Sequence, residues 1–223
     1  IVWVNLVCAV ILIAGLSRLC RAQPLPWLGL LVAVPYLLIV LGMGYTRQAA
    51  ALGFIMVGLV SLGRQQIKTF AFFVLMGALI HKTALLLLPF SVLASAQGRI
   101  KVTLWAGACG VMMFYVLLAK YTDDLWYQYV ERGYESQGAF VRVAMNALPS
   151  TLALVFLKRL FPDKGERRVW FWMAIISLST IPLVMVASTA TDRVALYFLP
   201  IQIVVFSRLP LLFAQYSVRK FTT

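Results

Sequence analysis

The sequence predicts an all-α, polytopic transmembrane helical bundle, and three observations carry that prediction. Apolar residues make up 62% of the chain against 12% charged, and the mean hydropathy is +0.91, more apolar surface than a soluble domain hides. Several runs approach or exceed the roughly 18 to 20 residues that cross a bilayer as a helix. The runs are continuous and do not alternate with period two, so of the two backbones that satisfy themselves in lipid, helix and closed barrel, the helix fits.

The charge balance agrees. The 20 Lys plus Arg against 7 Asp plus Glu give +13, which in a soluble protein would raise nucleic acid as a partner. Here the basic residues cluster in short connections between apolar runs, where positive-inside topology and anionic headgroups account for them. No basic patch with base-stacking aromatics stands apart, so nucleic-acid binding is excluded. Cys8, Cys20 and Cys109 lie in or beside apolar runs without metal-ligand spacing and read as small packing residues. The chain opens at Ile1 inside an apolar run, with no basic stretch before it and no small-residue cleavage site after it. It therefore reads as a fragment preceded by further helices, and not as a signal peptide.

Residues 2–16 form the first run, closed by Arg18 and Arg21, and Pro24-Leu25-Pro26-Trp27 turns the chain beside an interfacial aromatic. Residues 27–42 are the second span; Gly42-Met43-Gly44-Tyr45-Thr46-Arg47-Gln48 interrupts, and 49–62 continue to Arg64-Gln65-Gln66-Ile67-Lys68. A long run over 70–93 is broken near its middle by His81 and Lys82. Gly98-Arg99-Ile100-Lys101 precedes a span over 102–119, a polar aromatic-rich loop over 120–138 and a span over 140–157. A basic connection over 158–168, a span over 170–186, the link Ser188-Thr189-Ala190-Thr191-Asp192-Arg193 and a last span over 194–213 complete the chain. With no internal repeat, 1–223 reads as a single transmembrane domain of about seven to eight membrane segments.

The positive-inside rule wants Arg18/Arg21, Arg64/Lys68, Arg99/Lys101, the 158–168 cluster and the run from Arg208 to Lys220 on the cytoplasmic side. That holds if residues 70–93 enter and leave on one side as a broken or re-entrant hairpin with His81-Lys82 near its turn, a geometry tolerated where protein or water lines it. The alternative is one tilted crossing with His81 buried mid-span. With either choice the 120–138 loop and the Thr191-Asp192-Arg193 link are extracytoplasmic. With the hairpin, Tyr45-Thr46-Arg47-Gln48 joins them on that face.

Ionisable groups inside or at the edge of spans cost on the order of a few kcal/mol each unless paired or wetted. This singles out Arg47, His81, Lys82, Arg142, Asp192 and Arg193. Arg47 reads either as a snorkelling interfacial arginine or as an anion contact, because a guanidinium offers fixed, permanently charged donors. His81, the one histidine, reads as a structural hydrogen-bonding residue or as a base, and Lys82 beside it makes two adjacent costly groups. Asp192-Arg193 reads as an opposite-charge pair at a helix start, with Thr191 or Asp192 as N-cap, or as part of a site. In the 120–138 loop, Asp123, Asp124, Glu131 and Glu135 interleave with Tyr121, Trp126, Tyr127, Tyr129 and Tyr134. That composition suits stacking on sugar faces and equally an interfacial aromatic belt. Phosphate-binding glycine loops, nucleophile elbows and HExxH zinc helices are missing from the sequence, so nucleotide hydrolysis, serine hydrolysis and zinc chemistry lack support.

Gly44-Tyr45-Thr46-Arg47-Gln48-Ala49-Ala50-Ala51, then Arg64, then Phe73-Val74-Leu75-Met76-Gly77-Ala78-Leu79-Ile80-His81-Lys82-Thr83-Ala84-Leu85 resemble the signature of EpsG-like and Wzy-type bacterial polysaccharide polymerases. Thr191-Asp192-Arg193 followed by Tyr197 is similar to the Asp-Arg link before a late helix in those proteins. The resemblance covers 44–89 clearly and 121–200 loosely. It implies a GT-C-like, metal-independent glycosyltransferase of the bacterial inner membrane. Such an enzyme transfers a growing glycan from undecaprenyl pyrophosphate to an incoming lipid-linked repeat unit at the extracytoplasmic face, with no cofactor. It further implies Arg47, Lys82 and Arg193 at the pyrophosphate, and His81 or Asp192 as base or orienting group. Gln48, Arg132, Tyr134, Glu135 and Arg142 are implied as further substrate contacts. Membrane lipid, the lipid-linked oligosaccharide, a flippase and a chain-length regulator are the implied partners.

Other readings use the same residues. A flippase for a lipid-linked anion needs the same cations but is expected to show discontinuous helices in both halves, and the sequence shows a break in one place. A membrane acyltransferase would use His81 with an Asn or Asp partner, and an O-antigen ligase would share the polymerase chemistry.

Overall fold

The computed structural model describes residues 2–94, 108, 138–185 and 188–221. The predicted span over 102–119, nearly all of the 120–138 loop, Cys109, and the candidate residues Arg132, Tyr134 and Glu135 lie outside them.

Among the described residues every regular element is a helix. Three are long and apolar enough to cross a membrane: α1 (Val2–Arg21), α2 (Pro26–Gly44) and α3 (Thr46–Gly63). Ser188–Phe198 and Pro200–Phe213, meeting at 42°, make a fourth if the bent pair is one span.

Proline chemistry shapes α2. Pro26 occupies the first turn, where its missing N–H leaves no helical bond unmade. Pro35 cannot donate to the preceding turn, and Val34–Leu41 is wound as a π-helix. Tyr45 (φ −130°, ψ 52°) breaks the helix before α3 begins. At the far end of α3 the Gln66 N–H donates to the Ser61 carbonyl at 3.0 Å and the Gln65 N–H to Leu62 at 2.8 Å. With Gln65 at φ 61°, this is a Schellman closure in which glutamine takes the left-handed position that glycine usually fills.

The centre of the bundle is α3, with 61% of its apolar window buried against 28% for α1 and 22% for α2. A Cβ on Gly15 would overlap the Gly53 carbonyl, and one on Gly53 would lie 2.5 Å from the Ile11 carbonyl, so α1 and α3 cross backbone to backbone. Lipid offers helices little hydrophobic drive to associate, and small residues that allow such approach supply the packing instead.

The segment over 70–93 folds back on itself. α4 (Ile67–Ile80) ends at His81, whose extended backbone (φ −143°, ψ 107°) leads into a 3₁₀ turn (Lys82–Leu87) and then α5 (Phe90–Ala94). The Phe70 and Phe90 rings lie 6.4 Å apart, and the Gln65 side-chain amide donates to the Ala94 carbonyl at 3.4 Å. One continuous helix would hold residues 70 and 90 about 30 Å apart. The hairpin of the two sequence readings is therefore the observed geometry, and the tilted single crossing is discarded.

The second half is more interrupted than hydropathy suggests. The predicted span over 140–157 is divided into α6 (Ala139–Ala144) and α7 (Ala147–Val155) by a turn at Met145 and Asn146, and α8 (Leu157–Leu160) comes next. α9 (Lys164–Leu183) starts ahead of the predicted residue 170 because Asp163 caps it, accepting from the Glu166 N–H at 2.9 Å. The predicted polar link is helical: α10 (Ser188–Ala195) continues through a 3₁₀ turn (Leu196–Phe198) into α11 (Pro200–Phe221). One continuous buried core runs from Leu12 of α1 to Val205 of α11.

Arg208 locks the end of the bundle where the basic clusters lie. Its Nη2 and Nη1 donate to the Glu166 carboxylate at 2.5 and 3.0 Å, Nη1 also to the Leu160 carbonyl at 3.0 Å, and Nε to Gln23 Oε1 at 2.8 Å. The guanidinium sits 4.9 Å from the Phe161 ring centre. The sequence counts it with the basic cluster of the cytoplasmic side; the structure buries it, with four acceptors and an aromatic face in place of water.

Two consequences are measurable as unfolding free energy in lipid or mild detergent. Gly15→Ala lowers it by about 1–3 kcal/mol through overpacking, whereas Gly44→Ala, with nothing within 4 Å of the added carbon, leaves it unchanged. Arg208→Ala falls near the low end of the roughly 3–5 kcal/mol expected for a broken buried pair, because the Glu166 side chain is 26% exposed.

Candidate functional site

α3 separates the basic end from a second polar region by about 27 Å at 1.5 Å per residue. Arg47 and Gln48 begin α3, His81 and Lys82 form the turn of the hairpin, Arg142 lies on α6, and Asp192 and Arg193 lie on α10. The described residues thus bring together Arg47, Gln48, His81, Lys82, Arg142, Asp192 and Arg193, which the sequence scatters over almost 150 positions.

Side-chain bonds stitch these elements. Gln48, buried, donates from Nε2 to the Arg193 carbonyl at 2.5 Å, fixing the start of α3 to α10. Thr83 Oγ1 and Tyr197 Oη are 3.1 Å apart, fixing the hairpin turn to the 3₁₀ turn after α10. Arg142 grips Asp192 in a fork, Nε to Oδ1 at 2.8 Å and Nη2 to Oδ2 at 2.7 Å. Behind them Asn146 donates to the Ala195 carbonyl at 3.1 Å and accepts from Gln202 at 2.8 Å.

These contacts settle some readings of the sequence. Asp192 lies inside α10 with a side chain only 4% exposed and pairs with Arg142, fifty positions away. The N-cap reading and the local pair with Arg193 both fall, because a fork-shaped guanidinium satisfies both carboxylate oxygens and an adjacent helical residue faces elsewhere. Arg47, Lys82 and Arg193 are exposed and His81 is half-buried. The charges of Arg193 and Arg47 are close enough to act on the His81 ring.

Two polar atoms in this region are buried without a hydrogen-bond partner: His81 Nε2 and Tyr36 Oη. Tyr36 comes from the π-helical stretch of α2. Sequence reasoning missed it, along with Asn146 and Gln202; the available signals were Pro35 beside Tyr36 and an asparagine inside an apolar run. Chemically the region offers exposed guanidinium and ammonium groups, an imidazole nitrogen without a partner, and a carboxylate held in place by an arginine. Two cavities of about 270 and 430 Å³ lie at the opposite, basic end, on either side of Arg208.

Apolar helices of crossing length, folded back around polar side chains that gather at one end, define a helical membrane protein. The chain belongs to the EpsG family, whose model matches residues 1–222, a family of polysaccharide polymerase-like membrane proteins. It is thus a membrane protein of polysaccharide biosynthesis. Comparison with curated proteins and with solved structures gives no match.

The Arg142–Asp192 pair makes a prediction of its own. In a double-mutant cycle of unfolding free energies, Arg142→Gln and Asp192→Asn each destabilise, and the double variant loses less than their sum by about 1–3 kcal/mol.

Proposed function

We propose that the protein is a metal-independent glycosyltransferase of the bacterial inner membrane. It polymerises undecaprenyl-pyrophosphate-linked oligosaccharide repeat units at the extracytoplasmic face, in a GT-C-like bundle of about seven to eight membrane segments. One observation carries the reading: the hairpin turn holds His81, whose buried Nε2 has no partner, at the same end of the bundle as exposed Arg47 on α3 and Arg193 on α10, two helices tied by Gln48, opposite the basic clusters. Membership of the EpsG family supplies the pathway in which such a site makes sense.

In this scheme the acceptor hydroxyl oxygen attacks the anomeric carbon of the growing glycan, and the bond from that carbon to the pyrophosphate oxygen breaks. Undecaprenyl pyrophosphate leaves with the electron pair. Arg47, Lys82 and Arg193 stabilise the negative charge it gathers, while His81 Nε2 takes the hydroxyl proton. Asp192 serves as an orienting group, since both its oxygens accept from Arg142. Gln48 holds α3 against α10 beneath this array, and Arg132, Tyr134, Glu135 and Arg142 are assigned to the glycan. The scheme uses no cofactor. A flippase that delivers repeat units and a chain-length regulator are the partners proposed for it.

A transporter reading keeps one observation in its favour. The helices are interrupted at His81 in the first half and at Leu199 and Pro200 in the second, whereas the sequence suggested one break. Discontinuous helices in both halves are a feature of transporters. The acyltransferase reading has no such support, because no Asn or Asp bonds His81 Nε2.

The test is glycan length in cells lacking their own polymerase, complemented with the full-length protein or with Arg47→Ala, His81→Ala or Asp192→Ala at matched membrane levels. Wild type restores long glycan, and each variant lowers the polymerisation rate by about 10²–10⁴-fold, leaving mostly single repeats. If wild type leaves single repeats unextended while lipid-linked units change sides of the membrane, the transporter reading replaces this one.

A further inference from the structure

The larger cavity at the basic end, about 430 Å³, has no part in the reaction scheme. The turn after α1, the end of α8 with Pro162, and α11 enclose it, and its size is within the roughly 300–1,000 Å³ of small-ligand sites. Its walls are amphiphilic. Pro24, Pro162, Leu211 and Leu212 form an apolar side, while Arg159 and Arg208 are the charged residues, with no carboxylate among the described lining residues. The smaller cavity differs, because Asp163 and Glu166 face Arg64 and Arg208 there and leave no excess of charge. Arg21 and Lys158, exposed next to Ala22 and Arg159 in the chain, add to the positive field at the larger one.

The two arginines offer different things. Arg159 is exposed at the mouth, and its guanidinium makes no bond to any described residue, so its fork of donors is open to a phosphate. Arg208 lies in the wall, 8% exposed. Its charge is matched by Glu166, and its bonds use four of the five guanidinium N–H groups, so it calls for no anion but still offers one hydrogen to a neutral acceptor. A phospholipid presents its groups in that order: a phosphate outermost, ester carbonyls next, then hydrocarbon. A free phosphate would use Arg159 alone and leave the apolar wall unmatched. We infer that this cavity seats one anionic phospholipid, with its phosphate on Arg159, an ester carbonyl on Arg208 and its glycerol backbone against Leu211 and Leu212. The basic end is the cytoplasmic one by the positive-inside rule, and basic pockets between helices on that side suit anionic headgroups. The seated lipid spans the same three parts of the chain that Arg208 ties together, so it stabilises the fold, as any ligand held only by the folded state does. The inference is independent of the glycosyltransferase reading.

The experiment uses the full-length protein in non-ionic detergent micelles doped with phosphatidylglycerol or phosphatidylcholine, and follows the thermal midpoint together with the lipid retained in native mass spectrometry. Glycerophosphoglycerol, the same headgroup without chains, is the soluble probe. Phosphatidylglycerol binds saturably, one lipid per protein, and raises the midpoint, while phosphatidylcholine and glycerophosphoglycerol at equal concentration do neither. Arg159→Ala, which removes no bond of the fold, weakens phosphatidylglycerol at least about tenfold through the lost charge-assisted contact. Lys68→Ala, an exposed basic residue at the same end but outside the cavity, changes it by less than about twofold. Equal weakening by the two variants, or equal binding of the two lipids, overturns the site in favour of general surface attraction. Glycerophosphoglycerol as effective as the lipid replaces it with a site for a soluble phosphate, and absence of saturable binding removes it altogether. No glycan is measured, so each of these outcomes leaves the glycosyltransferase reading intact.

Discussion

A chain in lipid cannot change direction without finding partners for the backbone groups the turn releases, and the reversal at His81 meets that demand within itself. The His81 N–H still donates to Gly77 at 2.9 Å, and the His81 carbonyl accepts from the Ala84 N–H at 3.0 Å. The turn is thus closed by local bonds although the α-helix has ended. Everything after it depends on that closure. With Phe90 back beside Phe70 and Ala94 beside Gln65, both arms finish at the end where Gly63 packs on Glu166. The turn meanwhile presents His81 and Thr83 to α10 and Tyr197. A straight passage would have delivered those residues to the middle of the apolar layer.

The two ends of α3 treat polar groups in opposite ways. At the basic end Arg208 is bonded through all three guanidinium nitrogens and stacked on Phe161, so the group is fully compensated and acts as a structural tie among the turn after α1, α8, α9 and α11. At the other end Asp192 is compensated by Arg142, while His81 and Tyr36 each keep a buried atom without a partner. A folded chain removes such deficits wherever it can. Ser150 and Ser177 also keep a buried hydroxyl without a partner, so what sets this end apart is the company of such atoms with exposed Arg47 and Arg193.

How much of this was legible in the sequence depends on the information that hydropathy encodes. The first three helices were legible because their apolar runs match the bilayer and end in charges or Gly/Pro punctuation. The direction of the 70–93 segment was not, because apolar content has no sign; only the parity of the basic clusters pointed to a hairpin. Arg47, His81, Asp192 and Arg193 stood out as costly groups in apolar surroundings, and the structure does gather them. The partner of Asp192 was hidden by its distance of fifty positions along the chain. The burial of Arg208 was hidden because its acceptors, Gln23, Leu160 and Glu166, converge on it from three other places in the chain. Tyr36 was invisible for a different reason: periodicity assumes 3.6 residues per turn, and the winding after Pro35 departs from it.

That departure has a bearing on how the sequence can drift. A π-helical stretch amounts to one residue more than an α-helix of the same span would hold. Loss of a single residue between Val34 and Leu41 would restore regular winding over nearly the same span. Pro26–Ala33 would keep its register with Gly42 and the start of α3, and Gly29 its seat against Cys20 and Ile203, where its missing side chain leaves only 3.1–3.2 Å for a Cβ. What would change is the aim of the side chains inside the stretch, Tyr36 among them. The extra residue therefore serves their placement and not the packing of the two ends.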